Sequence, residues 1–274
     1  MQENDEQYPE ALTIAGSDSG GGAGISADIK TMQACKTFST YVIVGVTAQN
    51  TLNVQAQYPL PKKIIDQQFA SVLADFDIRS AKTGALFNAE HVKIVADNIR
   101  KYKIQNLVVD PVMVAKGETR LLTNDGVKMM IKGLIPQAEL VTPNLPEAEI
   151  LAGQKINDEA DMQQAAKTIQ GFGCPNVIIK GGHGTNAIVT DFVQLKNKKS
   201  YLLKSRRINT KRTHGTGDTL SAAISAYLAQ GIDMDTAIKR AHGYLAKIIK
   251  HPLYIGHGHG PLNQGEWSNS KYEV

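Results

Sequence analysis

The sequence is short of everything that would staple it covalently or hold it in a membrane. Its 274 residues include two cysteines, Cys35 and Cys174, and one tryptophan. Two thiols exclude a disulfide scaffold and a four-cysteine zinc site, and they fit a reducing, cytoplasmic setting. The longest apolar runs, such as Val42 to Val46, fall far short of the roughly 20 residues a membrane-spanning helix needs. Met1 to Glu10 has neither the basic start nor the apolar stretch of a signal peptide. A dominant charge is missing too: 30 basic against 26 acidic residues give +4, too slight and too scattered for a nucleic-acid or polybasic membrane surface. No GxxxxGKS/T occurs, which excludes a Walker-type nucleotide site. No Pro/Ser-rich linker and no short tandem repeat divides the chain. A single domain over residues 10–266 is expected, with loosely held tails at 1–9 and 267–274.

What is present is an alternation of short β-branched runs with helical stretches. Buried strands are expected at Leu12–Ala15, Tyr41–Thr47, Asn106–Val109, Glu139–Thr142 and Asn176–Ile179. Helices are expected near 24–35, 62–75, 88–102, 158–172, 217–229 and 235–250. This order argues for an α/β fold, a mainly parallel central sheet with helices on both faces. Ala187–Phe192 and Tyr201–Lys204, separated by a lysine-rich turn, read as an antiparallel edge hairpin.

In such sheets ligands bind beyond the carboxyl ends of the strands. The first of these ends carries Gly16-Ser-Asp-Ser-Gly-Gly-Gly-Ala-Gly24. Gly22, Gly24 and Ala27 match a dinucleotide fingerprint, but that reading needs an acidic residue about 20 positions on. After Asp28 the next acid is Asp66, so the nicotinamide reading fails. The loop is either a tight turn before a helix or a place where a small ligand lies against backbone. The second end closes with Gln49-Asn50, two carboxamides that could pair with an aminated heteroaromatic edge or merely face solvent. The third joins Asp110-Pro-Val112-Met with Thr142-Pro-Asn144-Leu-Pro-Glu147. Asp110, Asn144 and Glu147 are oxygen ligands of the kind magnesium prefers, while Pro146-Glu147 also reads as an ordinary helix start.

The fourth end is the most specific: Thr213-His-Gly215-Thr216-Gly217-Asp218, opening an Ala-rich helix. Such a turn aims several N–H groups and a helix dipole at one point, an anion site. An Asp there is out of place for anion binding unless it handles a proton, as a base on an attacking hydroxyl would. His257-Gly-His259 has metal-like spacing without a third ligand nearby, and His183 reads as a loop residue.

Together, Leu12–Ile25 with Ala27-Asp28-Ile-Lys30, Thr47–Thr51, Lys82-Thr-Gly84, Val109–Val114, Thr142–Ala148, Ile178–His183 and Asn209–Gly217 carry a resemblance. The chain resembles the ribokinase superfamily, in its vitamin-kinase branch, and within that the bacterial hydroxymethylpyrimidine/phosphomethylpyrimidine kinases of thiamine synthesis. The resemblance runs from about Ala11 to Asn263. It implies a ribokinase-like three-layer sandwich, ATP and Mg2+, a pyrimidine alcohol as substrate and a homodimer. It also implies site roles. Gln49 would read the aminopyrimidine edge, with Gly16, Val112 and Ala85 lining the pocket and Asp28 approaching the substrate. Asp110, Thr142, Asn144 and Glu147 would arrange Mg-ATP, Lys180 would face its phosphates, and Gly215, Thr216 and Gly217 would form the anion hole beside Asp218. Two departures stand out. Relatives usually carry Cys where Asp218 stands, and Met where Ala85 stands, which widens the pocket and keeps a pyridoxal-like pyridine alcohol as the alternative substrate. No role is assigned to His214 or to the loop 257–260.

Overall fold

The computed structural model describes residues 8–114, 121–182, 187–196 and 200–265. Most of both expected tails, His183 and the turn at 197–199 lie outside these residues. The strands are β1 (Glu10–Gly16), β2 (Phe38–Gln49), β3 (Val54–Pro59), β4 (Ile78–Thr83), β5 (Leu107–Val109), β6 (Leu140–Val141), β7 (Asn176–Ile179), β8 (Ile188–Gln194) and β9 (Tyr201–Arg206). They form one sheet in the order β3-β2-β1-β4-β5-β6-β7-β8-β9. The six strands from β2 to β7 run parallel. β3 closes one side antiparallel, and β8–β9 is the expected antiparallel hairpin on the other.

Among the described residues eight α-helices cover the sheet: α1 (Gly24–Ala34), α2 (Lys62–Leu73), α3 (Ala89–Tyr102), α4 (Asn124–Met129), α5 (Leu145–Ala152), α6 (Glu159–Gln170), α7 (Thr216–Ala229) and α8 (Met234–Ile249). Strand alternation divides the buried side chains between two cores. Leu12, Ile14, Val42, Val44, Leu107, Val109, Val141, Val177 and Ile179 point to one face, packed by α3, α5 and α6. The neighbouring positions Ala11, Val108, Leu140 and Ile178 point to the other, beneath α7 and α8. That second face also holds polar groups at its centre: Thr13, Ser80 and Lys82 are fully buried in β1 and β4. The described helices include none long and apolar enough to cross a membrane.

The expected strands and helices are all present. β3, β4, α4 and α5 are additional. β3 is an exposed edge with Val-Gln-Ala-Gln-Tyr-Pro, and β4 reads Ile-Arg-Ser-Ala-Lys-Thr, whose two cations conceal a central strand.

Candidate active site

The expected ligand-binding strand ends converge at one edge of the parallel sheet. Gly16 pairs with Gly45 of β2, and its N–H donates to the Ala85 carbonyl (3.1 Å). Asp110 N–H donates to Thr83 O, and Thr142 N–H to Val109 O (both 3.0 Å), so β4, β5 and β6 end in step. Lys180 follows β7, its N–H held by Pro143 O (2.8 Å). Over these ends stands the start of α7. Gly215, at its N-cap, has φ +80°, and a Cβ on it would lie 2.0 Å from Gly22 O. Only glycine both takes that backbone and lets the two glycine loops touch.

Two lysine-centred clusters lie beneath the turn. Lys82 has no exposed surface; its Nζ lies 2.8 and 2.9 Å from the Asp28 carboxylate oxygens and 2.9 Å from Asp218 Oδ1. Thr13 Oγ1 donates to Asp28 Oδ2 (2.5 Å). Burial alone would discharge Lys82, but Asp218, Asp28 and Asp110 reverse that and raise its pKa. Burial pushes Asp28 up to about 7, opposed by Lys82 and reinforced by Asp218. Asp218 is half-buried, and loss of solvent would raise it, yet Lys82's charge and hydrogen bond bring its carboxyl below the usual range. One lysine thus serves two carboxylates of unequal acidity, and the one facing the turn stays ionised.

The second cluster repeats the pattern. Lys180 Nζ donates to Asp110 Oδ1 (2.9 Å), and burial of this lysine is overcome by Asp110 and Glu147, which raise its pKa. Glu147 is pushed up to about 7 by burial, with Lys180 opposing and Asp110 adding. Its two oxygens accept N–H groups from Asn144 (2.9 Å) and Met113 (3.3 Å). Asn144 Oδ1 in turn accepts from Glu147 N–H (2.9 Å), a reciprocal cap on α5.

These positions amend several expectations. Asn144 gives one lone pair of its side-chain oxygen to the cap, and its NH2 remains a donor toward the site. Asp28, expected beside the substrate, has no exposed surface and reaches the cleft only through Lys82. Gly16 is buried, whereas Gln49, Ala85 and Val112 are half-buried at neighbouring strand ends. Lys82, given no role from the sequence, joins Asp28 to Asp218, and Asp18 lies buried in the glycine loop that follows β1. The 256–260 loop braces the corner after Gln49: His259 N–H donates to Thr51 O (2.8 Å) and Gly258 N–H to Thr51 Oγ1 (3.1 Å).

The residues suit a divalent cation. Among the described residues no three metal-ligating side chains gather, but Asp110 and Glu147 supply two carboxylates around one lysine. Thr142 Oγ1, one residue beyond β6, is buried with no hydrogen-bond partner among the described residues. Magnesium takes such a set, one or two carboxylates completed by water and phosphate.

A carboxylate held ionised in the first turn of a helix, the end that favours an anion, is equipped to move a phosphoryl group onto an alcohol. With the three-layer sheet below it, the class defined is a ribokinase-like small-molecule kinase. Comparison with known proteins narrows this. The family model described as phosphomethylpyrimidine kinase matches residues 18–263. A hydroxymethylpyrimidine/phosphomethylpyrimidine kinase of Haemophilus influenzae is 48% identical over 94% of this chain and 97% of its own. The crystal structure of phosphomethylpyrimidine kinase from Clostridium difficile superposes with TM-score 0.78 at 39% identity, covering 88% of this chain and 99% of that one. An ADP complex of Bacillus subtilis pyridoxal kinase gives TM-score 0.87 at 33% identity over 94% and 98%. The chain belongs to the phosphomethylpyrimidine kinase family.

Proposed function

We propose that this chain transfers the γ-phosphoryl group of ATP to the hydroxymethyl oxygen of 4-amino-5-hydroxymethyl-2-methylpyrimidine, and then phosphorylates the resulting monophosphate, in thiamine synthesis. Asp218 is the base. It takes the hydroxyl proton as the oxygen bonds to phosphorus, and the bond from phosphorus to the ADP oxygen breaks. The amides of Gly215–Gly217 and the Lys180 ammonium offset charge on the transferring oxygens. Mg2+, held by Asp110 and Glu147, would neutralise the phosphates when bound. Gln49 reads the amino edge of the ring, against a wall of Gly16, Ala85 and Val112.

The observation that carries this reading is the 2.9 Å contact between Asp218 Oδ1 and the fully buried Lys82. It keeps the base ionised at the one place where an acid would otherwise oppose a phosphate. Asp218→Asn should cut turnover by about 10²–10⁴, with ATP affinity kept within a few-fold. The measurement is ADP release beside nucleotide titration, and near-normal turnover of the variant would remove Asp218 from the mechanism.

Phosphorylation of pyridoxal is the second reading, favoured by the small side chain of Ala85 at the pocket wall and by the likeness to the Bacillus subtilis pyridoxal kinase fold. Acceptor preference in the same assay separates the two. Pairing into a homodimer belongs to the proposal as well; β3 is an open edge with Tyr58 63% exposed and Val46 opposite it. Sedimentation velocity should give twice the chain mass, and a monomer at assay concentration removes that part.

A further inference from the structure

Asp18 is 4% exposed and accepts hydrogen bonds all round: Gly20 N–H on Oδ1 (2.7 Å), Gly22 N–H and Ala23 N–H on Oδ2 (3.0 and 2.9 Å). His214 Nε2 lies 2.9 Å from the same Oδ2. Burial would raise this carboxyl, but His214 and the loop amides outweigh it and keep it an anion. An anionic oxygen this close requires that Nε2 carry its hydrogen. The contact is built into the loop: a Cβ on Gly22 would sit 2.6 Å from His214 Cδ2.

The same Nε2 is 3.2 Å from the Gln49 carboxamide, at Nε2, while the other carboxamide atom, Oε1, lies 3.4 Å from Thr47 Oγ1. Thr47 donates its hydroxyl hydrogen to Ser17 O (2.9 Å) and so can only accept from Gln49. Both neighbours therefore favour the carboxamide turned by half a revolution, an exchange that changes its shape very little. Its oxygen then takes the weaker share of the single His214 Nε2–H, which is divided between Asp18 Oδ2 at 2.9 Å and the Gln49 carboxamide at 3.2 Å, and its nitrogen donates to Thr47.

We propose that His214, oriented by Asp18, is a positioning residue that fixes the Gln49 carboxamide and so sets ring specificity. The proposal rests on the reading of Gln49 given above. In the fixed orientation one carbonyl lone pair and one N–H remain for the cleft, the oxygen on the His214 side. That pair matches a ring bearing an amino donor beside a ring-nitrogen acceptor. A pyridine alcohol without an exocyclic amine leaves the oxygen unmatched. Because His214 directly precedes Gly215, the segment that cradles phosphate also orients the group that reads the ring.

The test is a double-mutant cycle on KM with Gln49→Ala, His214→Ala and the pair, using the hydroxymethylpyrimidine and pyridoxal as separate acceptors. Each single change should raise KM for the pyrimidine about tenfold or more, and the pair should be no worse than Gln49→Ala alone. The turnover number at saturating pyrimidine should move much less, and KM for pyridoxal hardly at all. His214→Gln, which keeps an N–H at similar reach, should restore most of the pyrimidine affinity and serves if His214→Ala fails to fold. Independent, multiplying effects, or equal losses for both acceptors, would overturn the proposal while leaving Gln49 as reader. An unchanged KM in Gln49→Ala would overturn the reading of Gln49 and this inference with it.

Discussion

A lysine ammonium without solvent costs several kcal/mol to bury, and Lys82 is tolerated because three carboxylate oxygens lie within 2.9 Å of it. The arrangement has a pH signature. The unfolded chain ionises Asp28 near its ordinary 3.8, whereas the folded chain holds the proton to about 7. Between those values the native state binds the extra proton, so stability falls as pH rises through the window. Glu147 adds the same sign, ordinarily 4.5 and here about 7. Asp28→Asn should flatten the decline in urea midpoint between pH 4 and pH 7 without abolishing it; an unaltered slope would mean that Asp28 does not carry that proton. The sequence alone could not place this pair. Asp28 and Asp218 stand 54 and 136 positions from Lys82, and only the fold brings them together. Asp218, by contrast, was legible, because a carboxylate inside a Gly-Thr-Gly turn contradicts its own surroundings unless it does chemistry.

The elements differ in how plainly their sequences announce them. α3 begins with Asn88 accepting from His91 N–H and has an apolar stripe through Val92, Val95 and Ile99, so its periodicity is clear. β4 is obscure for the opposite reason: its inward positions Ser80 and Lys82 are polar because they face other polar groups. Ser80 Oγ reaches Ser225 O at 2.7 Å, and Lys82 meets its carboxylates. β5 and β6 are three and two residues long and were visible only as unbroken β-branched runs. α7 is buried from Thr219 to Ala229, between α1 and α8, and its alanines give the room that lets it lie close to the sheet. Ala226 is fully buried, and its carbonyl accepts from Thr37 Oγ1 (3.1 Å). Ala226→Leu should therefore cost about 1–3 kcal/mol by overpacking, read as a lower urea midpoint with an unchanged slope. A neutral effect would show that the α7 layer is looser than its packing implies.

At the scale of the whole molecule, parallel strand order does most of the assembly. It brings residues from six chain segments to one sheet edge, where two lysines face four carboxylates across the mouths of β4 to β7. The order of elements made the sandwich readable before any distance was known, since a strand–helix alternation leaves few ways to cover a sheet. The pairing between loops was not readable, because Gly22 meets Gly215 backbone to backbone and Gly258 reaches Thr51 through its own N–H, so the glycines bring no side-chain signature. One consequence concerns redox chemistry. By the resemblance drawn from the sequence, the carboxylate of Asp218 stands where a thiol is expected in relatives. The chain's two thiols, Cys35 and Cys174, lie buried elsewhere, their pKa values lifted to about 12 chiefly by burial. A thiol attacked by peroxide or an electrophile reacts as thiolate. With Asp218 as the proposed base, turnover should survive peroxide treatment that leaves the fold intact, read as unchanged ADP release; loss of activity in step with thiol oxidation would place Cys35 or Cys174 in the mechanism.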